Sequence, residues 1–158
     1  MNPYAAPGTQ PRDAEEDIAA SSPPVLARAA GGVIALAGMV VALTGAQTLA
    51  MVSIRGPWAV APWVLLMLGI GELVLGTVVF RARAWGAVLA TGVSLAQTIA
   101  ATVWLVFSMA HGLFSLYALG GPCVSVGAVV LALVAMGPCQ KASAARARLK
   151  AQGMDLGI

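Results

Sequence analysis

The sequence predicts an all-α membrane protein: a four-transmembrane-helix up-down bundle behind a disordered N-terminal tail. Two observations carry that expectation. The first is charge deficit. Of 158 residues, 59% are hydrophobic and 9% charged, against about 25% charged in a typical soluble domain. So few ionic groups leave too little polar surface for a soluble globule. The second is the arrangement of apolar residues in four long runs, broken where the remaining charges fall.

Residues 1–24 hold five of the nine prolines and the acidic run Asp13, Glu15, Glu16 and Asp17. Low hydrophobicity and concentrated charge predict a disordered, solvated tail. Apolar runs follow at about 26–53, 58–80, 85–110 and 116–138. A helix needs about 20 apolar residues to cross a hydrocarbon core of about 30 Å. The first three runs meet that length with ease. In the fourth, a helix begun at Pro122 is short, so either it starts earlier and Pro122 kinks it, or the bilayer thins locally. Gly-Pro-Cys occurs at 121–123 and again at 137–139, and both copies are read as helix boundaries. Residues 25–140 thus form the transmembrane domain and 141–158 a basic C-terminal tail. The first run follows an acidic rather than a basic segment, which argues against a cleaved signal peptide.

Between Arg28 and Lys141 the ionisable charges are Arg55, Glu72, Arg81 and Arg83. Arg28, the RARAW connection and the four bases of the C-terminal tail gather on one side of the expected bundle. By the positive-inside rule both termini are then cytoplasmic, with Arg55 as the dissenting charge. Trp58, Trp63, Trp85, Trp104 and Tyr117 fall near run ends, as interfacial aromatics do. In lipid, helices satisfy their own backbone hydrogen bonds and open sheets do not.

Glu72, inside the second run, is the sharpest candidate for function. A carboxylate at that depth is paired, hydrated or protonated. Three roles are open to it: a proton or cation site, a hydrogen-bonded joint to Gln47, Gln97 or a threonine, or a partner for a base on another subunit. Gln47 and Gln97 lie in related windows, ALTGAQTLA at 42–50 and GVSLAQTIA at 92–100, which suggests a duplicated hairpin or convergent packing. Both windows carry small residues every fourth position: Gly38, Ala42, Ala46 and Ala50 in one, Gly92, Ala96 and Ala100 in the other. Such stripes let helix backbones approach closely in lipid.

Other chemistry is excluded on pattern. His111 has no neighbouring acid or thiol and makes no metal site. Cys123 and Cys139, sixteen residues apart, are about 24 Å apart on one helix, too far for a disulfide. No nucleotide-binding, zinc-protease or serine-hydrolase motif is present. No cofactor, metal or enzymatic activity is expected. The bases are not clustered as a nucleic-acid surface requires. The expected partners are the lipid bilayer and a membrane protein or further copies of the chain. The expected role is structural: a small integral protein of the cytoplasmic membrane that assembles through helix packing. The alternative is a proton- or cation-coupled transporter or channel subunit built on Glu72.

Overall fold

The computed structural model describes residues 11–51, 56–112 and 116–153, and every regular element among them is helical. In chain order these are α1 (Pro11–Ser21), α2 (Val25–Met51), a short 3-10 turn (Pro57–Val60), α3 (Ala61–Phe80), α4 (Ala84–Ala110) and α5 (Leu116–Ala151). Four helical stretches are long and apolar enough to cross a membrane. Arg55 and the side chain of Tyr117 lie outside the described residues.

Glycine decides how α2 meets α3. On α2, Gly31, Gly38 and Gly45 recur every seven residues; on α3, Gly69 and Gly76 do the same. A Cβ added at Gly38 would lie 2.5 Å from the carbonyl oxygen of Gly69. A Cβ added at Gly69 would lie 2.6 Å from the carbonyl oxygen of Gly38. Gly31 meets Gly76 and Phe80, and Gly45 meets Pro62 and Leu66, so the two helices run antiparallel. With no side chains between them, backbone packs on backbone, which is how helices associate where lipid removes the hydrophobic drive. The seven-residue spacing keeps that line on one face, as in a left-handed supercoil.

The other seams alternate steps of three and four. On α4 the buried positions include Ala87, Ala90, Ser94, Gln97, Ala101, Trp104 and Ser108. On α5 they run Gly121, Ser125, Ala128, Ala132, Ala135, Cys139, Ala142 and Ala145. The main core joins Ala27, Ala30, Ile34 and Ala37 of α2 to these alanines of α4 and α5, and Val79 of α3 packs with them. A second cluster gathers Val41, Leu65, Ala101 and Trp104 nearer the other end. Bulky apolar side chains point outward instead: Leu36, Met67, Ile99 and Val106 are each at least 60% exposed.

The turn from α3 to α4 is closed by local bonding. Ala82 N–H donates to Val79 O (2.7 Å) and Arg83 N–H to Val78 O (3.3 Å), the bond pair of a Schellman motif. Ala82, at φ 51°, occupies the left-handed position where glycine is usual. Ser143 of α5 then accepts the first free amide of α4, from Ala84 at 3.2 Å.

Three expectations are corrected. Residues 11–21, expected within a disordered tail, form α1, which packs against α5. Arg146 explains the docking: its Nε donates to Ser21 O (3.0 Å) and its Nη2 to Arg81 O (3.1 Å). One guanidinium thus caps the C-terminal carbonyls of α1 and α3, where helix dipoles favour positive charge. The Asp17–Arg148 pair (3.8 Å) adds little, because the arginine is exposed. Second, the Gly-Pro sequences do not end the fourth helix: Pro122 and Pro138 both lie inside continuous α5, which runs past 138 to Ala151. The small-residue seam of α5 continues through both positions, so packing holds the helix across each proline. Third, Trp104, expected with the aromatics at the run ends, turns into the bundle rather than outward. It is buried and stacks on Phe107 with ring centroids 5.4 Å apart.

The glycine seam makes a sharp stability prediction. Gly38→Ala and Gly69→Ala should each destabilise the detergent-solubilised protein by about 1–3 kcal/mol, the usual cost of overpacking. Gly71→Ala, where an added Cβ meets nothing within 4 Å, should be neutral or slightly stabilising through helix propensity. Thermal unfolding of the three variants against wild type is the check.

Candidate functional site

Glu72 stands eight residues before the end of α3, about 12 Å along the helix. It is completely buried. Its position on α3 turns it away from the open face and toward α4, whose seam brings up Ser94 and Gln97 one helical turn apart. Ser94 Oγ donates to Glu72 Oε1, and Gln97 Nε2 donates to Glu72 Oε2. Each carboxylate oxygen therefore has its own donor.

The network continues into α5. The second proton of Gln97 Nε2 points to Ser125 Oγ at 3.1 Å. Ser125 Oγ in turn donates to Gly121 O at 2.9 Å. Four fully buried polar side chains, Glu72, Ser94, Gln97 and Ser125, thus connect α3, α4 and α5. Donor and acceptor roles agree along the whole chain of bonds: the serine hydroxyl of α5 accepts from the amide and donates to its own backbone. One atom is left over. Gln97 Oε1 is buried with no hydrogen-bond partner.

The remaining sequence candidates are placed differently. Gln47 is exposed on α2 and does not join Glu72. The two Ala-Gln-Thr windows therefore have opposite environments, with Gln97 inside and Gln47 outside. Gly38 and Ala42 lie in or beside the α2–α3 seam, but Ala46 and Ala50 are exposed. On α4, Gly92 and Ala96 face outward, Ala100 is half-buried, and an added Cβ at Gly92 meets nothing within 4 Å. The stripe of α4 is thus not an internal packing face; the polar and alanine seam beside it is. Cys139 is buried in the core, and Cys123 is exposed. His111 caps the end of α4, with Nδ1 2.9 Å from Phe107 O and its ring against Phe107. Among the described residues no cluster of three or more His, Cys, Asp or Glu is placed to hold a metal.

Sequence reasoning missed Ser94 and Ser125. The signal was present: both fall on three-and-four seams, Ser94 three residues before Gln97 and Ser125 four after Gly121. Compared with protein-family models, curated proteins and solved structures, the chain matches none.

Breaking the network should cost more than truncating a surface residue. Ser94→Ala and Gln97→Leu each leave one carboxylate oxygen buried without a donor, at about 1–3 kcal/mol. Gln97→Leu should be the more damaging, since it also releases Ser125. Chemical or thermal unfolding in detergent reads both; equal, near-zero effects would contradict the bonding described.

Proposed function

We propose that this chain is a small multi-pass protein of the cytoplasmic membrane with a structural or assembly role. The single observation that carries this reading is the enclosure of Glu72. A carboxylate used for transport must meet its ion and the solvent; this one is closed in by donors from α4 and linked onward to α5. Such a group joins helices.

The membrane placement rests on composition and surface together. Apolar side chains are exposed around the bundle, which lipid accommodates and water does not. The 20 residues of α3 span about 30 Å, the thickness of the hydrocarbon core. In this reading the four helices cross in up-down order. Arg28, Arg81, Arg83, Arg146 and Arg148 belong to the end of the bundle where Arg146 ties Ser21 to Arg81. The positive-inside rule puts that end, and both termini, in the cytoplasm.

Assembly would use the outward small residues. Gly92 and Ala96 give α4 a flat exposed strip at four-residue spacing, the pattern that admits a second helix backbone. In mild detergent the protein should therefore run as an assembly larger than one chain. Gly92→Leu and Ala96→Leu should reduce it to a single chain while leaving unfolding stability within about 0.5 kcal/mol, as for other surface changes. A wild type of single-chain mass would contradict the assembly role.

One observation favours a second reading, a proton- or cation-coupled transporter subunit. Gln97 Oε1, beside Glu72, is a buried acceptor without a donor. Glu72→Gln separates the two. The structural role tolerates it, because an amide still bonds within the network, whereas Glu72→Leu should destabilise the protein. Loss of ion-driven flux in proteoliposomes with Glu72→Gln, the fold intact, would favour the transporter.

A further inference from the structure

Beside the α2–α3 glycine seam lies an open groove of about 350 Å³, distinct from the Glu72 network. Gly32 and Ala35 form one wall, Thr77 and Phe80 the other, with Gly76 at the floor and Arg81 at one end. The size falls in the usual range for small-molecule sites.

Its chemistry is graded along its length. The interior is glycine, alanine and the exposed ring of Phe80. An added Cβ at Gly32 would meet nothing within 4 Å, so the space over that residue is open. Gly31, by contrast, is closed by the backbone of α3, so the groove is a gutter with a solid floor. At its end stands Arg81, whose carbonyl is fixed by Arg146 (3.1 Å). Arg28, exposed, precedes Gly32 by one helical turn on the same face of α2. Among the described residues no carboxylate pairs with Arg28 or Arg81. Asp17 of α1 is turned to α5, where it meets Arg148.

We propose that this groove binds an anionic phospholipid, an acyl chain lying along Gly32, Ala35 and Phe80 and the phosphate held between Arg81 and Arg28. Charge complementarity selects this occupant over a second copy of the chain. A helix from another copy would fill the apolar gutter but leave two guanidiniums at its mouth without an anion. A phospholipid supplies both parts in one molecule. Arginine also suits phosphate by its forked, bidentate geometry.

The inference rests on the membrane placement proposed above, and its test separates the two. Protein purified in detergent is titrated with phosphatidylglycerol or phosphatidylcholine of the same chains, and bound lipid is counted by native mass spectrometry. Each guanidinium near a headgroup is worth about fivefold, so phosphatidylglycerol should be preferred by on the order of 25-fold. Arg81→Gln and Arg28→Gln should each lower that preference about fivefold. Gly32→Leu, whose Cβ meets nothing within 4 Å, projects its side chain into the gutter and should abolish retention. Gly127→Leu, at an equally open glycine on α5, should retain the lipid. Equal binding of the two lipids, or unchanged retention in Gly32→Leu, overturns the proposal. So does a Gly32→Leu effect confined to oligomeric mass, which would assign the groove to a second copy. Membrane placement is read separately, by carbonate washing of membranes from the expressing cells. A washed-off chain refutes that placement; a retained chain without lipid preference refutes only the groove.

Discussion

A carboxyl group carried in the middle of an apolar helix must be satisfied inside the protein. An unpaired charge buried among apolar groups is strongly disfavoured, and Glu72 has no lysine or arginine within its network. Its partners are neutral donors, one for each oxygen, both from α4. That requirement fixes more than one side chain. Ser94 and Gln97 meet Glu72 only if α4 turns this face, rather than its glycine-alanine strip, toward α3. Ser125 meets Gln97 only if α5 is in register with α4. The polar network therefore sets rotation and register for three helices whose other buried positions are largely small, alanine on α4 and α5 and glycine on α3.

Alanine and glycine seams supply proximity but little specificity. The α2–α3 pair shows one way out: glycines seven residues apart on both helices allow a single close register, with Gly38 against Gly69. The α4–α5 pair has no such glycine interlock and relies on the Gln97–Ser125 bond instead. Interhelical bonds of this kind average only about 0.6 kcal/mol in a membrane protein. Their value here lies in direction, because an alanine seam displaced by one turn would pack nearly as well. Outside the apolar region, Arg146 performs a related task by holding two helix ends together.

The helices were legible in the sequence because apolar runs and charge breaks coincide with them. The third run, 85–110, differs from α4 by one residue. The inward faces were harder to read, and the reason is geometric. A stripe of every fourth residue advances about 40° per step around a helix of 3.6 residues per turn. From Gly38 to Ala50 it rotates by about 120°, which carries Ala46 and Ala50 out of the seam. Alternating three and four, as in Gly31, Ala35, Gly38, Ala42 and Gly45, stays on one side. The same phase error made Gln47 and Gln97 look equivalent, although only Gln97 lies on a seam. Proline and acidic composition misled for another reason. Both are local signals, and packing against neighbours overrode them in α5 and α1.

A double-mutant cycle between Glu72 and Gln97 addresses the central claim most directly. Unfolding free energies in detergent would be compared for wild type, Glu72→Leu, Gln97→Leu and the double variant. Direct bonding predicts a coupling energy of about 0.5–3 kcal/mol, with the double variant less destabilised than the two single losses added together. Additive losses, with no coupling beyond error, would mean that Glu72 and Gln97 do not bond and that the register of α3, α4 and α5 is set by something else.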